Sequence, residues 1–401
     1  MLAPWRRARR IVLVALSLSI APALASYAQA LVARSDVSTS IRSVEWLRDH
    51  GAAGLVSNVE DAYYSLTAPA KGGASLAGLP SVGVSGSNTG GRSRVRVYRP
   101  HRIRPVITPA LRGEGVWRPA MANAGPRPPV LLTTLRGEAD YPRLVAGVAW
   151  IDMGAARLSY FPGALEPPVS IRRGPEEVPA SMRSALAATF NGGIKLHDAA
   201  EGFAYQGRTW TLMVRGVGTF IQYRSGRVDI SSWQGGPSVP SDVAFARQNL
   251  PLIVERGRPN PNLSDGPQWG ATVHNAIRVW RSGLGIDRRG NLLYAAANQQ
   301  TVRSLANILL RAGARRAIEL DINEYWTSFI TYRHRSALGP SNLLPDMVRP
   351  ATRYLTPDDR DFSAVFARRP AKQRPLGRQV AVGRSSDLSA APDSSMGAHR
   401  R

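Results

Sequence analysis

The sequence contains no cysteine among its 401 residues. This absence excludes disulfide bonds, thiolate metal sites and a cysteine nucleophile. Lysine is almost absent as well, because only Lys71, Lys195 and Lys372 are lysines among 52 Lys and Arg residues. An arginine bias of this kind follows from GC-rich codons, so it does not by itself indicate a nucleic-acid partner.

Common functional signatures are also missing. There is no HExxH, no GxSxG elbow, no P-loop and no paired-glycine nucleotide fingerprint. The formal net charge is +24, yet residues 129–368 carry 28 Lys and Arg against 20 Asp and Glu. Most of the basic excess therefore lies in the flanking segments. Since helix-turn-helix, RNP-like and zinc-finger spacings are absent too, we expect no nucleic-acid partner.

The N-terminus carries the one long apolar run. Four arginines between positions 6 and 10 precede residues 11–33, which have no charge. A run of this length is sufficient to cross a bilayer, and the arginines place everything after it outside the cytoplasm. Small-residue motifs at 23–25 and 28–30 also fit a cleaved signal peptide. We expect a single-pass membrane protein with an extracytoplasmic body, with a secreted protein as the alternative.

Three further segments flank the main domain. Residues 34–66 show two stretches of helical spacing, which predict a short helical stalk or a pair of surface helices that pack on the main domain. Residues 67–128 are rich in Gly, Ser, Pro and Arg and are predicted to form a linker. Within it, residues 92–106 carry six arginines, which suit either a solvated linker or a clamp on an anionic polymer or lipid head group. The tail at 369–401 is predicted to be disordered.

Residues 129–368 are predicted to form one α+β domain, with a mixed or antiparallel sheet and few helices. Short apolar or alternating runs are separated by Gly, Pro, Asp or Asn turns. The turn at 288–290 predicts a hairpin between its two flanking runs. Residues 301–313 predict the best helix of the domain, with Thr301 as N-cap and Gly313 as its end.

Acidic residues cluster after that helix, in the stretch ELDINE (319–324). In an extended strand, Glu319, Asp321 and Asn323 lie on one face, and Glu324 follows. Carboxylates among apolar neighbours are costly unless they are paired, hydrated or bound to metal. The stretch therefore predicts an active site or a Ca²⁺ or Mg²⁺ site formed by Glu319, Asp321 and Asn323. An ion-pair network with nearby arginines is the structural alternative.

Two other elements are suited to binding an anionic group. Asn191, Gly192 and Gly193 end a predicted strand, and such a turn brings backbone N–H groups and an amide close to an oxyanion. Arg281 lies in a strand before a Gly-x-Gly bend, where its guanidinium can hold a phosphate bidentately. Taken alone, the Asn-Gly-Gly element is also explained as a structural turn, and Arg281 as a charge at the edge of a strand.

Taken in order, these elements resemble the phosphodiester glycosidase family. The matching residues are Asn191-Gly192-Gly193, Arg281-Ser282-Gly283-Leu284-Gly285 and Leu320-Asp321. The sequence beyond these motifs is also similar to a membrane-attached actinobacterial branch of that family. The chain departs from the pattern after Asp321, where Ile322-Asn323-Glu324-Tyr325-Trp326 replace the usual glycine turn and serine.

The resemblance implies hydrolysis of a sugar-1-phosphodiester, with a sugar-phosphate or envelope glycan as substrate. It implies that Arg281 holds the phosphate and that Asp321 is base or nucleophile. Glu319 or Glu324 is then the partner carboxyl. Asn191, Gly192, Gly193 and Asn323 are the other predicted substrate contacts.

Secondary expectations concern histidines and aromatic rings. His197 and His274 are second-choice site residues, with His274 as a candidate general acid. Aromatic side chains near the motifs suit either sugar stacking or a buried core (Trp269, Trp280, Tyr325 and Trp326). The rival interpretation is a catalytically inactive glycan-binding or scaffold protein of the cell envelope, favoured by the replaced glycine turn.

Overall fold

The computed structural model of the protein describes residues 3–33, 37–84, 98–122, 125–199, 201–263, 269, 278–334 and 336–368. Three sequence-based expectations lie wholly or partly outside these residues: the tail at 369–401, the first six residues (92–97) of the arginine-rich stretch at 92–106, and His274.

The N-terminal part is helical. Helix α1 spans Ala3–Val32, α2 spans Thr39–Leu47, a π-helical turn covers Arg48–Ala52, and α3 spans Ala53–Leu66. Gly51 interrupts the helical path with a φ of +89°, a conformation that glycine adopts without penalty. Among the described residues, α1 is the helix that is apolar and long enough to cross a membrane, at Arg7–Val32. That property fits a membrane anchor and a signal sequence alike.

The remaining helices are short or amphipathic. Helix α4 covers Leu196–Ala199 and α5 covers Val302–Ala312. The described strands are, in chain order, β1 (Arg118–Pro119), β2 (Val130–Arg136), β3 (Val145–Ile151), β4 (Ala156–Phe161), β5 (Leu186–Asn191), β6 (Phe203–Tyr205), β7 (Arg208–Thr211), β8 (Gly218–Tyr223), β9 (Val228–Ser232), β10 (Val243–Gln248), β11 (Val254–Glu255), β12 (Arg258–Pro259), β13 (Val279–Ile286), β14 (Leu292–Gln300), β15 (Arg316–Glu319), β16 (Phe329–Tyr332), β17 (Pro340–Asn342) and β18 (Phe362–Ala367).

These strands form three sheets. The first has the order β1-β2-β3-β14-β13-β15-β11-β12, the second β7-β6-β10-β8-β9, and the third β17-β16-β5-β18-β4. Every strand pair in the described part of the chain is antiparallel. The predicted α+β class, with antiparallel sheets and few helices, is confirmed.

The hairpin and helix predicted from local sequence are both present. Strands β13 and β14 pair directly across the turn at 287–291. Helix α5 begins after a capping box in which Thr301 accepts from the Ser304 N–H, and it ends at Gly313, whose φ is +108°. Its buried stripe, which includes Leu305 and Leu309, packs on β13 and β14. Amphipathic spacing plus complete caps made this element predictable.

Part of the segment predicted as a linker packs on the first sheet. Strand β1 pairs with β2, and Ile103 is 1% exposed. Glu114 is fully buried and accepts from the guanidinium of Arg136, which lies within β2 at 1% exposure. A buried arginine requires an acid partner, and Glu114 supplies it from outside the sheet. Composition alone does not reveal a pairing of this kind.

Candidate functional site

The elements singled out in the sequence meet at one end of the first sheet. Ser282 in β13 connects them, because its Oγ accepts from the Asn191 amide at 3.2 Å and from the Asp321 backbone N–H at 3.2 Å. The Ser282 backbone N–H donates to the Asp321 carbonyl at 2.8 Å. The end of β5, the first half of β13 and the residues after β15 are therefore neighbours.

The acidic stretch is less extended than the sequence suggested. Strand β15 ends at Glu319, so Asp321 and Asn323 lie in the following turn rather than on one strand face. Asp321 Oδ1 accepts from the Asn323 N–H at 3.0 Å, and Asn323 Oδ1 accepts from the Tyr325 N–H at 2.8 Å. Side chains of Asp and Asn that bond backbone groups two residues on favour turns over strands.

A cavity of about 520 Å³ opens over this turn, and we call it the candidate cavity. Four of its lining residues come from the turn or lie beside it: Asp321, Ile322, Asn323 and Trp326. Arg360 and the α4 region form another wall, and α2 and α3 close the cavity from the N-terminal side. Its size suits a small ligand such as a sugar-phosphate unit.

Asp321 is the carboxylate most directly placed for chemistry. It is 5% exposed and lines the candidate cavity. Its Oδ2 lies 3.4 Å from Arg360 Nη2. Burial raises the pKa of Asp321 above its usual range, although the charge of Arg360 opposes that rise. The carboxyl is therefore shifted toward its protonated form.

Arg360 is one of the cavity-lining residues that the sequence did not point to. Its guanidinium donates to the Gly193 carbonyl at 3.0 Å and lies 4.9 Å from the Trp326 ring centroid. Its backbone N–H donates to Asp358, which is ion-paired with the fully buried Arg353. A signal existed in the dense charge run DDRD at 358–361, but nothing local tied that run to Asp321.

Arg281 is placed differently from the phosphate-holding role predicted for it. Its side chain is 5% exposed and donates to Glu319 Oε1 at 2.6 Å and to the Gln300 carbonyl at 2.9 Å. Neither Arg281 nor Glu319 lines the candidate cavity. Burial raises the pKa of Glu319, and Arg281 counteracts this. The two residues form a buried ion pair behind the site, and a substrate role for either stays a prediction.

The Asn-Gly-Gly turn also lies behind the cavity wall. The Asn191 side chain is engaged internally, since its Oδ1 accepts from the Tyr294 hydroxyl at 2.9 Å and from the Ser328 N–H at 3.2 Å. Gly192 and Gly193 make room for other side chains. A Cβ at Gly192 would lie 2.5 Å from Asp361 Oδ1. The turn thus fixes the backbone carbonyl that holds Arg360.

Gly193→Ala tests this close packing. A Cβ there would lie 2.2 Å from both Arg247 Nη1 and Asn249 Oδ1. Because both side chains are buried, we expect a loss of about 1–3 kcal/mol in the free energy of unfolding. Thermal unfolding of the full chain in detergent measures it. Gly236→Ala, whose added Cβ meets nothing within 4 Å, is the control. Equal melting temperatures for the two variants would contradict the packing described.

The helical segment contributes charge to the cavity. Glu45 of α2 and Asp49 pair with Lys195, Asp49 at 3.4 Å. Burial alone would raise the pKa of Glu45, but Lys195 and Arg360 outweigh it and lower that pKa. Burial alone would lower the pKa of Lys195, but the charge of Glu45 outweighs burial and raises it. Glu45 is therefore held ionised in the cavity where Asp321 is pushed toward protonation.

The other predicted site residues are dispersed. His197 lines the candidate cavity but is exposed, and Glu324 is half-buried outside it. Trp280 is buried in the core, and Tyr325 stacks with Arg349 at 4.5 Å. Trp269 packs in a second buried apolar cluster with its indole on the Asn262 carbonyl, and of the four aromatic residues Trp326 alone lines the cavity.

Among the described residues, no group of three or more acidic or histidine side chains is arranged to hold a metal ion. The Glu319 carboxylate faces Arg281 and the Asp321 carboxylate faces Arg360. A Ca²⁺ or Mg²⁺ ion bound by Glu319, Asp321 and Asn323 stays a prediction.

Glu201 is a buried acid beneath the cavity wall. Its Oε1 accepts from the N–H of Leu250, a cavity residue, and its Oε2 is buried without a hydrogen-bond partner among the described residues. Burial raises the pKa of Glu201 from 4.5 to about 7. The folded state holds the Glu201 proton more tightly than the unfolded state does. The stability that protonated Glu201 contributes is therefore fully present below pH 4.5 and is lost as pH rises through 7.

Glu201→Gln is therefore expected to gain stability relative to the parent between pH 5 and 8, by about 2–3 kcal/mol at the upper end. Melting temperatures measured across that range for both chains, with exposed Glu255→Gln as control, give the answer. A constant difference between parent and Glu201→Gln at every pH would contradict the assignment.

Comparison with known proteins gives distant structural similarities. No protein-family model and no curated protein matches the chain. The structure is similar to the catalytic domain of zebrafish N-acetylglucosamine-1-phosphodiester alpha-N-acetylglucosaminidase, described as auto-inhibited by its pro-peptide, with 13% identity and a TM-score of 0.40 over 62% of this chain and 87% of that chain. A hypothetical protein from Synechocystis has 15% identity and a TM-score of 0.35 over 60% and 62% of the two chains. A protein of Burkholderia pseudomallei described as exported has 11% identity and a TM-score of 0.30 over 56% and 74%.

Proposed function

We propose that the chain is an extracytoplasmic hydrolase that cleaves a sugar-1-phosphodiester of cell-envelope glycan or exopolysaccharide. The observation that carries this proposal is the pairing of Asp321 with Arg360 at the edge of a cavity large enough for a sugar-phosphate unit. The motif resemblance of Asn191-Gly192-Gly193 and Leu320-Asp321 supports it, because both motifs border that pair.

The two cavity carboxyls have opposite electrostatic settings. Asp321 is shifted toward its neutral form and Glu45 toward its ionised form. Carboxyls whose environments separate their pKa values in this way divide acid and base or nucleophile roles in glycoside hydrolysis. In the proposed reaction, Asp321 donates a proton to the leaving phosphate oxygen. Glu45 acts at the anomeric centre, as base toward water or as nucleophile. In this proposal Glu45 takes the base or nucleophile role that the motif resemblance implied for Asp321. Asp321 takes the partner role that was predicted for Glu319 or Glu324.

Cationic groups in the cavity suit the phosphate. Arg360 presents a guanidinium whose fork matches a phosphate oxyanion. Lys195 lies on the α4 side of the same cavity and adds a point charge. In the proposal, Arg360 takes over the phosphate contact that the motif comparison assigned to Arg281. Trp326, which also lines the cavity, packs its buried ring against the Arg360 guanidinium and helps to position it.

The proposal includes location and domain organisation. Helix α1 anchors the chain, or is removed as a signal, and the body lies outside the cytoplasm. The catalytic domain comprises residues 129–368 together with the packed part of 98–122, and residues 34–66 form one wall of the site rather than a detached stalk.

Release of free sugar from a panel of chromogenic and natural-type sugar-1-phosphodiesters tests the function. The full chain in non-ionic detergent is assayed with added Ca²⁺ or Mg²⁺ and with a chelator, beside Arg360→Gln. We expect turnover of at least one phosphodiester and a strongly raised KM in the variant. A folded chain that binds envelope glycan without turning over any phosphodiester would favour the glycan-binding alternative.

A further inference from the structure

A second cavity lies at the opposite end of the first sheet. Strand β13 begins at Val279, which lines the candidate cavity, and ends at Ile286, which lines the second one. Strand β15 runs the other way, from Arg316 at the second cavity toward Asp321 at the first. At about 3.3 Å per residue, the two cavities are roughly 20 Å apart. The second cavity has a volume of about 540 Å³.

Arginine dominates the lining of this second cavity, which we call the arginine cleft. Its members come from the β8–β9 turn, the β13–β14 turn, the start of β15 and the end of β18: Arg227, Arg288, Arg289, Arg315, Arg316 and Arg368. Four separate parts of the chain therefore bring guanidinium groups to one concave surface. The acids lining it are Asp229 and Asp287.

These two acids do not neutralise the cleft. Asp229 pairs with Arg316 and lies 4.0 Å from Arg227. Asp287 is buried, and its carboxylate accepts from the backbone N–H groups of Arg289 and Asn291, so it is engaged in holding the turn.

Four arginines of the cleft have no acidic partner among the described residues, and one of them, Arg289, stacks on the Tyr98 ring at 3.9 Å. The other three are exposed: Arg288, Arg315 and Arg368. The Arg368 Nε donates to the Ala156 carbonyl at 2.8 Å, which fixes that side chain at the rim. Like charges gathered on one concave surface raise the local potential and attract anions.

The shape and chemistry of the cleft narrow the class of anion. Guanidinium forks match the oxygens of phosphate and carboxylate groups. A lipid surface is recognised by exposed apolar side chains beside basic ones. The apolar lining residues here are buried or half-buried: Met153, Val228 and Ile286. A concave, polar, multiply cationic surface fits one chain bearing several separated oxyanions.

We propose that the arginine cleft binds an extended polyanionic chain whose charges are phosphate or carboxylate groups. Several arginines engage successive anionic groups, so affinity depends on the number of linked charges rather than on one. The site is separate from the candidate cavity, and binding there does not require that the protein hydrolyse anything.

The test compares two triple variants of the full chain in non-ionic detergent. The cleft variant carries Arg288→Gln, Arg315→Gln and Arg368→Gln. The control carries Arg172→Gln, Arg208→Gln and Arg215→Gln, three exposed arginines that line none of the cavities described, so the net charge changes equally. Dissociation constants are measured for poly(glycerol phosphate), polygalacturonate and inorganic phosphate at low and at physiological salt.

We expect the parent to bind at least one polymer far more tightly than inorganic phosphate. The cleft variant should lose roughly ten-fold or more in affinity. It should also show a shallower salt dependence, because it neutralises fewer anionic groups of the polymer and binding therefore releases fewer counterions. The polymer that is bound identifies phosphate or carboxylate as the ligand group. Equal losses in the two variants, or no binding of either polymer by the parent, would overturn the proposal.

Discussion

Asp321→Asn is expected to lower turnover of the sugar-1-phosphodiester by about 10³-fold, while the chain stays folded. Asparagine keeps an oxygen that accepts from the Asn323 N–H, so the turn after β15 is preserved. It cannot donate the proton to a leaving phosphate oxygen, and removing a general acid of this kind costs about 10²–10⁴-fold in rate. The measurement is kcat from released sugar, with the melting temperature as a check on folding.

Matched substitutions identify the second carboxyl. Glu45→Gln should also lower kcat strongly, because Glu45 lines the cavity. Glu324→Gln should leave kcat within about two-fold, because its carboxylate lies outside the cavity lining and a surface substitution of this kind is usually mild. A large loss at Glu324 with none at Glu45 would exchange their roles. Full activity in Asp321→Asn would remove Asp321 from the mechanism.

Arg281→Met is expected to destabilise the fold by about 3–5 kcal/mol, because it leaves Glu319 buried without its ion partner. Glu319 is 0% exposed, and its Oε2 already has no hydrogen-bond partner among the described residues. The free energy of unfolding, measured with denaturant on the full chain in detergent, reports this loss. The effect arises from an unpaired buried charge, so it does not depend on substrate.

The double variant Arg281→Met/Glu319→Leu separates structure from catalysis. Replacing both members of a buried ion pair with apolar residues of similar volume is often neutral for stability. We therefore expect the double variant to regain most of the lost stability and to keep turnover near that of the parent. A stable double variant with no turnover would show that Arg281 or Glu319 contacts the substrate after all.

Local patterns in the sequence predicted the parts of the site that lie on single elements. The helix α5, the β13–β14 hairpin and the grouping of Asn191 with Asp321 follow from caps, turns and motif order. The Arg281–Glu319 pair depends on strand register. Gly283 lies opposite Glu319, which places Arg281 two residues along the same face. Register between β13 and β15 is set by the whole sheet, so it could not be predicted from either strand.

The two cavity residues Arg360 and Glu45 show the same limit. Arg360 pairs with Asp321 from the loop before β18, and Glu45 lines the same cavity from α2. Helical spacing predicted that residues 34–66 are helical, but spacing alone does not show which surface of the domain such helices will cover. Tertiary packing brings these two residues to one cavity, and the spacing of residues in a single sequence does not reveal that packing.

The packing of α1 on α2 has a consequence for the height of the site above a bilayer. The Tyr27 hydroxyl lies 2.7 Å from Ser43 Oγ, its ring lies 5.1 Å from that of Trp46, and the Trp46 indole donates to Ser26. If α1 stays in the membrane, its last turns are held by α2 rather than by lipid, and Tyr27 and Trp46 lie at the depth of the head groups, where such rings concentrate. The candidate cavity, which α2 helps to line, then opens close to the lipid surface.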